Sequence, residues 1–388
     1  MPIRNRLAEM QPEIAAWRHD LHENPELLYE THRTSAFVAE KLRDFGCDEV
    51  VEGIGRTGVV GLIHGRNGPG RTVGLRADMD ALPIEEATGL PHASKTPGVM
   101  HACGHDGHTA MLLGAAKYLA QSRNFEGSVA VIFQPAEEGG AGGDAMVKDG
   151  LMERFDIAEV YGMHNSPGLP VGTFSIRPGP FYAAMDTFEV IVTGKGGHAA
   201  MPQKVVDTTV VAAQMLMALQ TIAARNADPT KALVVSVTSF RTDSESFNVI
   251  PQVVTLRGTV RTFDAELRDL AEQRIAEICA RTAAVFDATA EVDYRRGYPA
   301  MVNHEAETAI AAEVAAKVAG DVDTEAPAIM GGEDFAFMLE ARPGAYIQIG
   351  NGDTASVHHP EYDFNDETIP AGCSFWVELV ESRLPLAS

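Results

Sequence analysis

The chain has 388 residues, 45% hydrophobic and 22% charged, the composition of a globular protein long enough for two domains and a sizeable core. A formal net charge of -23 argues against phosphate-rich partners, so neither nucleic acid nor an anionic membrane surface is expected. Cys47, Cys103, Cys279 and Cys373 are too scattered for a disulfide framework, and there is no apolar leader over residues 1–28 and no apolar run of about 18 residues, so a cytoplasmic protein is expected.

Residues 5–22 and 31–45 repeat apolar positions at helical spacing, separated by Asn24-Pro25, and Gly46 stands where a helix C-cap would. The β-rich runs 59–64 and 72–75 flank the turn residues Gly68-Pro69-Gly70, which predicts a hairpin. The second run leads into Asp78-Met79-Asp80 and the breaker Pro83. The densest group of metal-capable side chains follows: His101-Ala102-Cys103-Gly104-His105-Asp106-Gly107-His108. Cys103 and His105 lie two apart, which in an extended segment aims both to one side.

A helix is expected over 109–121, with Asp106 or Thr109 near its cap. Residues 128–133 form an unbroken apolar run, the mark of a strand buried on both faces, and it stops at Gln134-Pro135-Ala136-Glu137-Glu138. A helix over 144–149 and a strand over 159–163, ending at His164, continue the alternation. Strand and helix in alternation predict an α/β domain with a largely parallel sheet, whose ligands gather beyond strand ends.

At Pro178-Gly179-Pro180 the pattern changes. Strands over 187–193, 232–241, 253–262 and 288–296, with helices over 205–224 and 265–285, give a βαββαβ order, the ferredoxin-like α+β arrangement. From Glu305 the order returns to helix, strand at 345–349, and helix. The reading is therefore a catalytic domain of residues 1–180 and 297–388, interrupted by an inserted domain of residues 181–296.

Asp78 and Asp80 alone would pass for a solvated loop. Glu137 and Glu138 are adjacent carboxylates after a buried strand; in extended chain they would point apart and take different partners. The run Gly139 to Gly143 lacks the lysine and hydroxyl residue of a phosphate loop, so no nucleotide is expected. Singly, His164 and His358 are ordinary. Jointly, a thiol, imidazoles and carboxylates at the strand ends of one sheet describe a hydrolytic metal site.

These stretches closely resemble the dinuclear metal-dependent amidohydrolases, the aminoacylase-type metallopeptidases. The subgroup includes hippurate hydrolase, N-acyl-L-amino acid amidohydrolase and the plant auxin-conjugate hydrolases. The resemblance also covers Gly194 to Pro202, Gly331-Gly-Glu-Asp-Phe335 and His358-His-Pro360, in order along nearly the whole chain. It implies two divalent ions (zinc, manganese, cobalt or nickel) held by Cys103, His105, Glu138, His164 and His358, with Cys103 in the bridging position. His358 is preferred to His359 because the family's ligand lies two residues before the proline. It implies Glu137 as general base, Asp80 as the carboxylate that orients a ligand imidazole, and His198 and Asn248 as residues that reach substrate. It gives the inserted domain the roles of lid and dimerisation surface, and so implies a homodimer or a dimer-based oligomer.

The expected reaction is hydrolysis of the amide bond of an N-acyl amino acid (N-acetyl, N-benzoyl or similar). A metal lowers the pKa of its bound water from about 15.7 to about 7, and Glu137 carries the proton. Two alternatives stand beside this: a dipeptidase or carboxypeptidase on the same scaffold, and a non-catalytic metal or amino-acid binding protein.

Overall fold

The computed structural model describes residues 5–387; the two ends of the expected catalytic domain, residues 1–4 and 388, lie outside the described residues. The chain divides into two compact units: Met1–Gly179 with Val302–Pro327 and Asp334–Ser388, and Pro180–Met301 with Ala328–Glu333. The chain therefore returns to the first unit only after Met301, not at 297, and gives one more segment to the second. Ala328–Glu333 joins the second unit through main-chain bonds, Ile329 N–H to Phe181 O and Ala183 N–H to Ile329 O. No periodicity marks so short a segment.

In the first unit, α1 (Asn5–Glu23) buries Leu7, Ile14, Trp17 and Leu21 along one stripe. Helix α2 (His32–Phe45) ends at Gly46, whose φ of 84° only glycine adopts freely and whose N–H closes on Arg43 O. Strands β1 (Glu49–Ile54) and β2 (Gly58–His64) form the hairpin here. The expected hairpin between β2 and β3 (Thr72–Asp78) does not form. Strand β4 (Ser128–Gln134) lies between them, antiparallel to β2 and parallel to β3. Every residue of β3 and β4 is buried, which requires a neighbour on each edge and cover on each face, and a two-stranded hairpin supplies neither.

Strand β5 (Ile157–Pro167) pairs in parallel with β3 on one side and with Gly344–Gly352 on the other. The eight-stranded sheet thus has a parallel centre, antiparallel pairing at the β1–β2 margin, and beyond Gly344–Gly352 an antiparallel pair with Phe174–Ser175 followed by a parallel pair with Val322–Asp323 at the other edge. Helix α3 (His105–Ser122) is buried along most of its length and packs on α1, α2, β3 and the helix Ile369–Arg383. It begins at His105, four residues before the expected start. Its N-cap is Gly104, and neither Asp106 nor Thr109 caps it.

The second unit is the expected βαββαβ: strands Ala184–Thr193, Leu233–Thr242, Val253–Thr262 and Thr289–Arg296 with helices Thr208–Leu219 and Ala265–Val285. The sheet is antiparallel throughout, with Ala184–Thr193 and Val253–Thr262 at its centre. Phe188, Val190 and Val192 alternate into its core, the period-two pattern of a half-covered sheet. The first helix is shorter than 205–224. It starts where Asp207 accepts the N–H groups of Thr209 and Val210, and it gives way to a π-turn at Ile222–Asn226. Among the described residues no helix is long and apolar enough to cross a membrane.

Candidate metal centre

The site lies beyond the carboxyl ends of the parallel strands, where an open α/β sheet leaves a crevice. Asp78 closes β3 and is fully buried. Arg76, equally buried, donates to Asp78 Oδ2 at 2.7 Å, to Gln134 Oε1 at 2.9 Å and to Asp334 Oδ1 at 3.1 Å. Gln134 and the Gly143 N–H also donate to Asp334. This clamp ties the ends of β3 and β4 together. Burial alone would raise Asp78, but His105, Arg76 and His108 hold it well below the usual carboxylate range.

Two residues on, Asp80 accepts the main-chain N–H of Glu137 at 2.9 Å and that of Glu138 at 3.1 Å. Its Oδ1 also stands 3.5 Å from His105 Nδ1. One carboxylate therefore positions both glutamates and faces the imidazole. The glutamates do not point apart as extended chain would have them. Ala136 is left-handed at φ 55° and the Gly139 N–H turns back to Glu137 O, so each glutamate brings an oxygen into one group with His105.

Cys103 and His105 also converge, but not through an extended segment. Gly104 takes φ 86° and turns the chain into α3, so Cys103 precedes the helix and His105 opens it. Cys103 Sγ lies 3.4 Å from His164 Nε2. The His164 ring donates from Nδ1 to Asn165 O at 2.6 Å, which leaves the Nε2 lone pair facing the thiol. Strand β5 continues through His164 to Pro167 and does not stop at the histidine. His358 sits at φ 66°, a conformation costly for a residue with a Cβ, and its N–H is anchored on Ala102 O at 2.7 Å. Its Nε2 is 3.2 Å from Glu138 Oε1. His359, exposed like His358, accepts the Glu361 N–H and belongs to none of the metal-capable groups among the described residues.

The donor atoms fall into overlapping groups, each within 4.8 Å: Cys103, His105 and His164; Cys103, Glu138 and His358; His105, Glu137 and Glu138. Cys103 belongs to two of them. Buried His105 Nε2 faces Asp78 Oδ2 at 3.7 Å and Glu138 Oε1 at 3.9 Å, too far for hydrogen bonds. Among the described residues, neither His105 nitrogen has a hydrogen-bond partner. Burial opposes a charge on His105, yet Asp78, Asp80 and Glu138 push its pKa up to about 10. Burial, then Glu138, Glu137 and Asp78, drives the Cys103 thiol well above its ordinary range. This excess of negative charge around a soft sulfur and two imidazoles fits a borderline-soft divalent cation.

Of the other histidines in the dense stretch, His108 is committed to Asp78 Oδ1 through Nδ1 at 2.6 Å and accepts the Asn165 N–H at Nε2. His101 is buried, held to about 3 chiefly by burial, and belongs to none of the metal-capable groups among the described residues. In the second unit, Gly197–His198 pairs with Val249–Ile250, and the Ala199 N–H donates to Asn248 O. This short ribbon, absent from the sequence reading, sets His198 beside Asn248, both exposed. Sequence reasoning also passed over Arg76, Asp334, Asn165 and Tyr362 as parts of the site. Their only signal was position within or close to the quoted motifs.

The family model "Peptidase family M20/M25/M40" matches residues 74–382. Hippurate hydrolase of Campylobacter jejuni is 41% identical over 375 residues, 96% of this chain and 97% of that protein. Thermostable carboxypeptidase 2 of Saccharolobus solfataricus is 40% identical over 353 residues, covering 90% and 88%. The crystal structure of the YXEP protein of Bacillus subtilis, a dinuclear metal binding peptidase of the M20 family, superposes with a TM-score of 0.84 at 34% identity, covering 97% of this chain and 99% of that one.

Proposed function

From the premise that the chain belongs to peptidase family M20/M25/M40 and is a metal-dependent amidohydrolase, we propose that it hydrolyses the amide bond of N-acyl amino acids. The observation that carries this reading is Cys103, shared by one donor group with His105 and His164 and another with Glu138 and His358, with the Glu137 carboxylate alongside. Divalent ions (zinc, manganese, cobalt or nickel) on these five residues would polarise the scissile carbonyl and acidify a water. Glu137, pinned through its N–H by Asp80, takes a proton from that water and returns it to the leaving nitrogen. Asp80 meanwhile orients His105.

His198 and Asn248 act on substrate in this proposal, with His198 a donor to the developing oxyanion. The substrate carboxylate needs a cation in a chain of net charge -23. Arg257 is paired with Glu189, whereas Arg261 has no ion pair within 4 Å among the described residues and donates to Thr259 Oγ1 at 3.3 Å and the Met330 carbonyl at 3.5 Å, which supports Arg261. N-acetyl and N-benzoyl amino acids should be cleaved with kcat/KM at least about tenfold above matched dipeptides, about 1.4 kcal/mol in the transition state. Amidating the substrate carboxylate should remove most of the rate. A panel of paired substrates decides the matter, and equal or better turnover of dipeptides would move the assignment to a peptidase.

The second unit is proposed to serve as lid and dimerisation surface. Val210 and Met217, one face of the helix Thr208–Leu219, and Phe240 on the edge strand Leu233–Thr242 are exposed, which supports association with a second copy. Light scattering should report a dimer at micromolar concentration; a monomer would remove this part of the proposal. All four cysteines are free thiols, in keeping with the proposed cytoplasmic setting.

A further inference from the structure

Asn165 follows His164 in β5, is 2% exposed, and has every polar atom engaged. Its main-chain carbonyl accepts the His164 Nδ1–H at 2.6 Å, and its main-chain N–H donates to His108 Nε2 at 2.9 Å. One carboxamide hydrogen goes to the Cys103 carbonyl at 2.6 Å and the other to His108 Nε2 at 3.1 Å. The carboxamide oxygen accepts the Tyr362 hydroxyl at 2.8 Å. His108 is itself held by Asp78 at Nδ1, so Nε2 must present a lone pair to Asn165. The chain of partners runs from Arg76 through Asp78 and His108 to Asn165, and ends on Cys103 and His164.

We infer that Asn165 is a positioning residue: it fixes Cys103 against His164, oriented in turn by His108 and Tyr362. The space around it is already filled. A Cβ added at Gly104 would collide with both the Asn165 amide nitrogen and the Tyr362 hydroxyl. The 103–105 turn therefore closes directly on the Asn165 side chain. An aspartate at 165 would have the same shape and keep the main-chain N–H to His108, but its side chain would have no donor for the Cys103 carbonyl or for His108 and would set lone pair against lone pair at both. Tyr362→Phe would leave both donors but free the carboxamide to flip.

The inference rests on the metal-dependent reading, so its test begins with cobalt(II) loaded into the unaltered protein, where a thiolate-to-cobalt absorption band reports Cys103. Asn165→Asp should weaken cobalt binding, measured by chelator competition, by about 10–100-fold and shift that band. Tyr362→Phe should do the same to a smaller degree, while the unfolding midpoint of the metal-free protein stays near that of the parent. If Asn165→Asp does not fold, Tyr362→Phe decides. A lower unfolding midpoint with unchanged cobalt affinity and spectrum would mean a structural role only and would overturn the inference. An unaltered protein with no thiolate band would overturn the metal reading itself, a distinct outcome read from the control.

Discussion

Glu137→Gln is expected to lower kcat by about 10²–10⁴-fold with metal content unchanged, the usual contribution of a positioned general base. The substitution keeps the main-chain N–H that Asp80 holds, so the turn at residues 136–139 should survive. What it removes is the group that accepts and returns the proton. Glu138 is different: its Oε1 stands 3.2 Å from His358 Nε2 and 3.9 Å from His105 Nε2. Glu138→Gln should therefore release metal first and lose activity as a consequence. Steady-state kinetics paired with elemental analysis separate the two. A Glu138→Gln protein that kept its metal and lost only kcat would reverse the assignment of the carboxylates.

Removing divalent ions is expected to bring hydrolysis to background, with recovery on adding zinc, manganese, cobalt or nickel. Without a cation, burial and three carboxylates keep the Cys103 thiol protonated. His105 is left among Asp78, Asp80 and Glu138 with nothing to share but a proton. The fold should persist. Leu75, Val131, Phe133 and Ile347 at the centre of the sheet are essentially inaccessible and owe nothing to the ion, so circular dichroism of the stripped protein should match the parent. Activity indifferent to a strong chelator, in protein shown to be metal-free, would contradict the reading.

The parts of this molecule that were legible from sequence are those where one segment carries its own signal. The helix Ala265–Val285 and the strand Val253–Thr262 were read to the residue, because period and flanking turns agree there. The buried strand β4 announced itself as an unbroken apolar run. Pairing is a long-range property, so Gly68-Pro69-Gly70 suited a hairpin that the sheet order did not adopt. Local backbone turns were equally hidden. The left-handed residues Gly104 and Ala136 decide how Cys103, His105 and the two glutamates converge, and neither leaves a periodic trace.

The residues that surround the candidate ligands were the least visible. Arg76 and Asp334 are 258 positions apart, and Asn165 and Tyr362 are 197 apart. A motif supplies the groups that could touch an ion; the hydrogen bonds that aim them come from elsewhere in the chain.

In the proposed centre one cluster holds two ions that share Cys103. Anomalous diffraction at the zinc edge, from crystals of zinc-loaded active protein, tests it most directly. Two peaks about 3.5–4 Å apart are expected, both in contact with Cys103 Sγ, with His105 and His164 among the residues that contact them and Glu138 and His358 completing the set. A fully active protein with no peak at Cys103, or with a single ion that Cys103 does not touch, would contradict it.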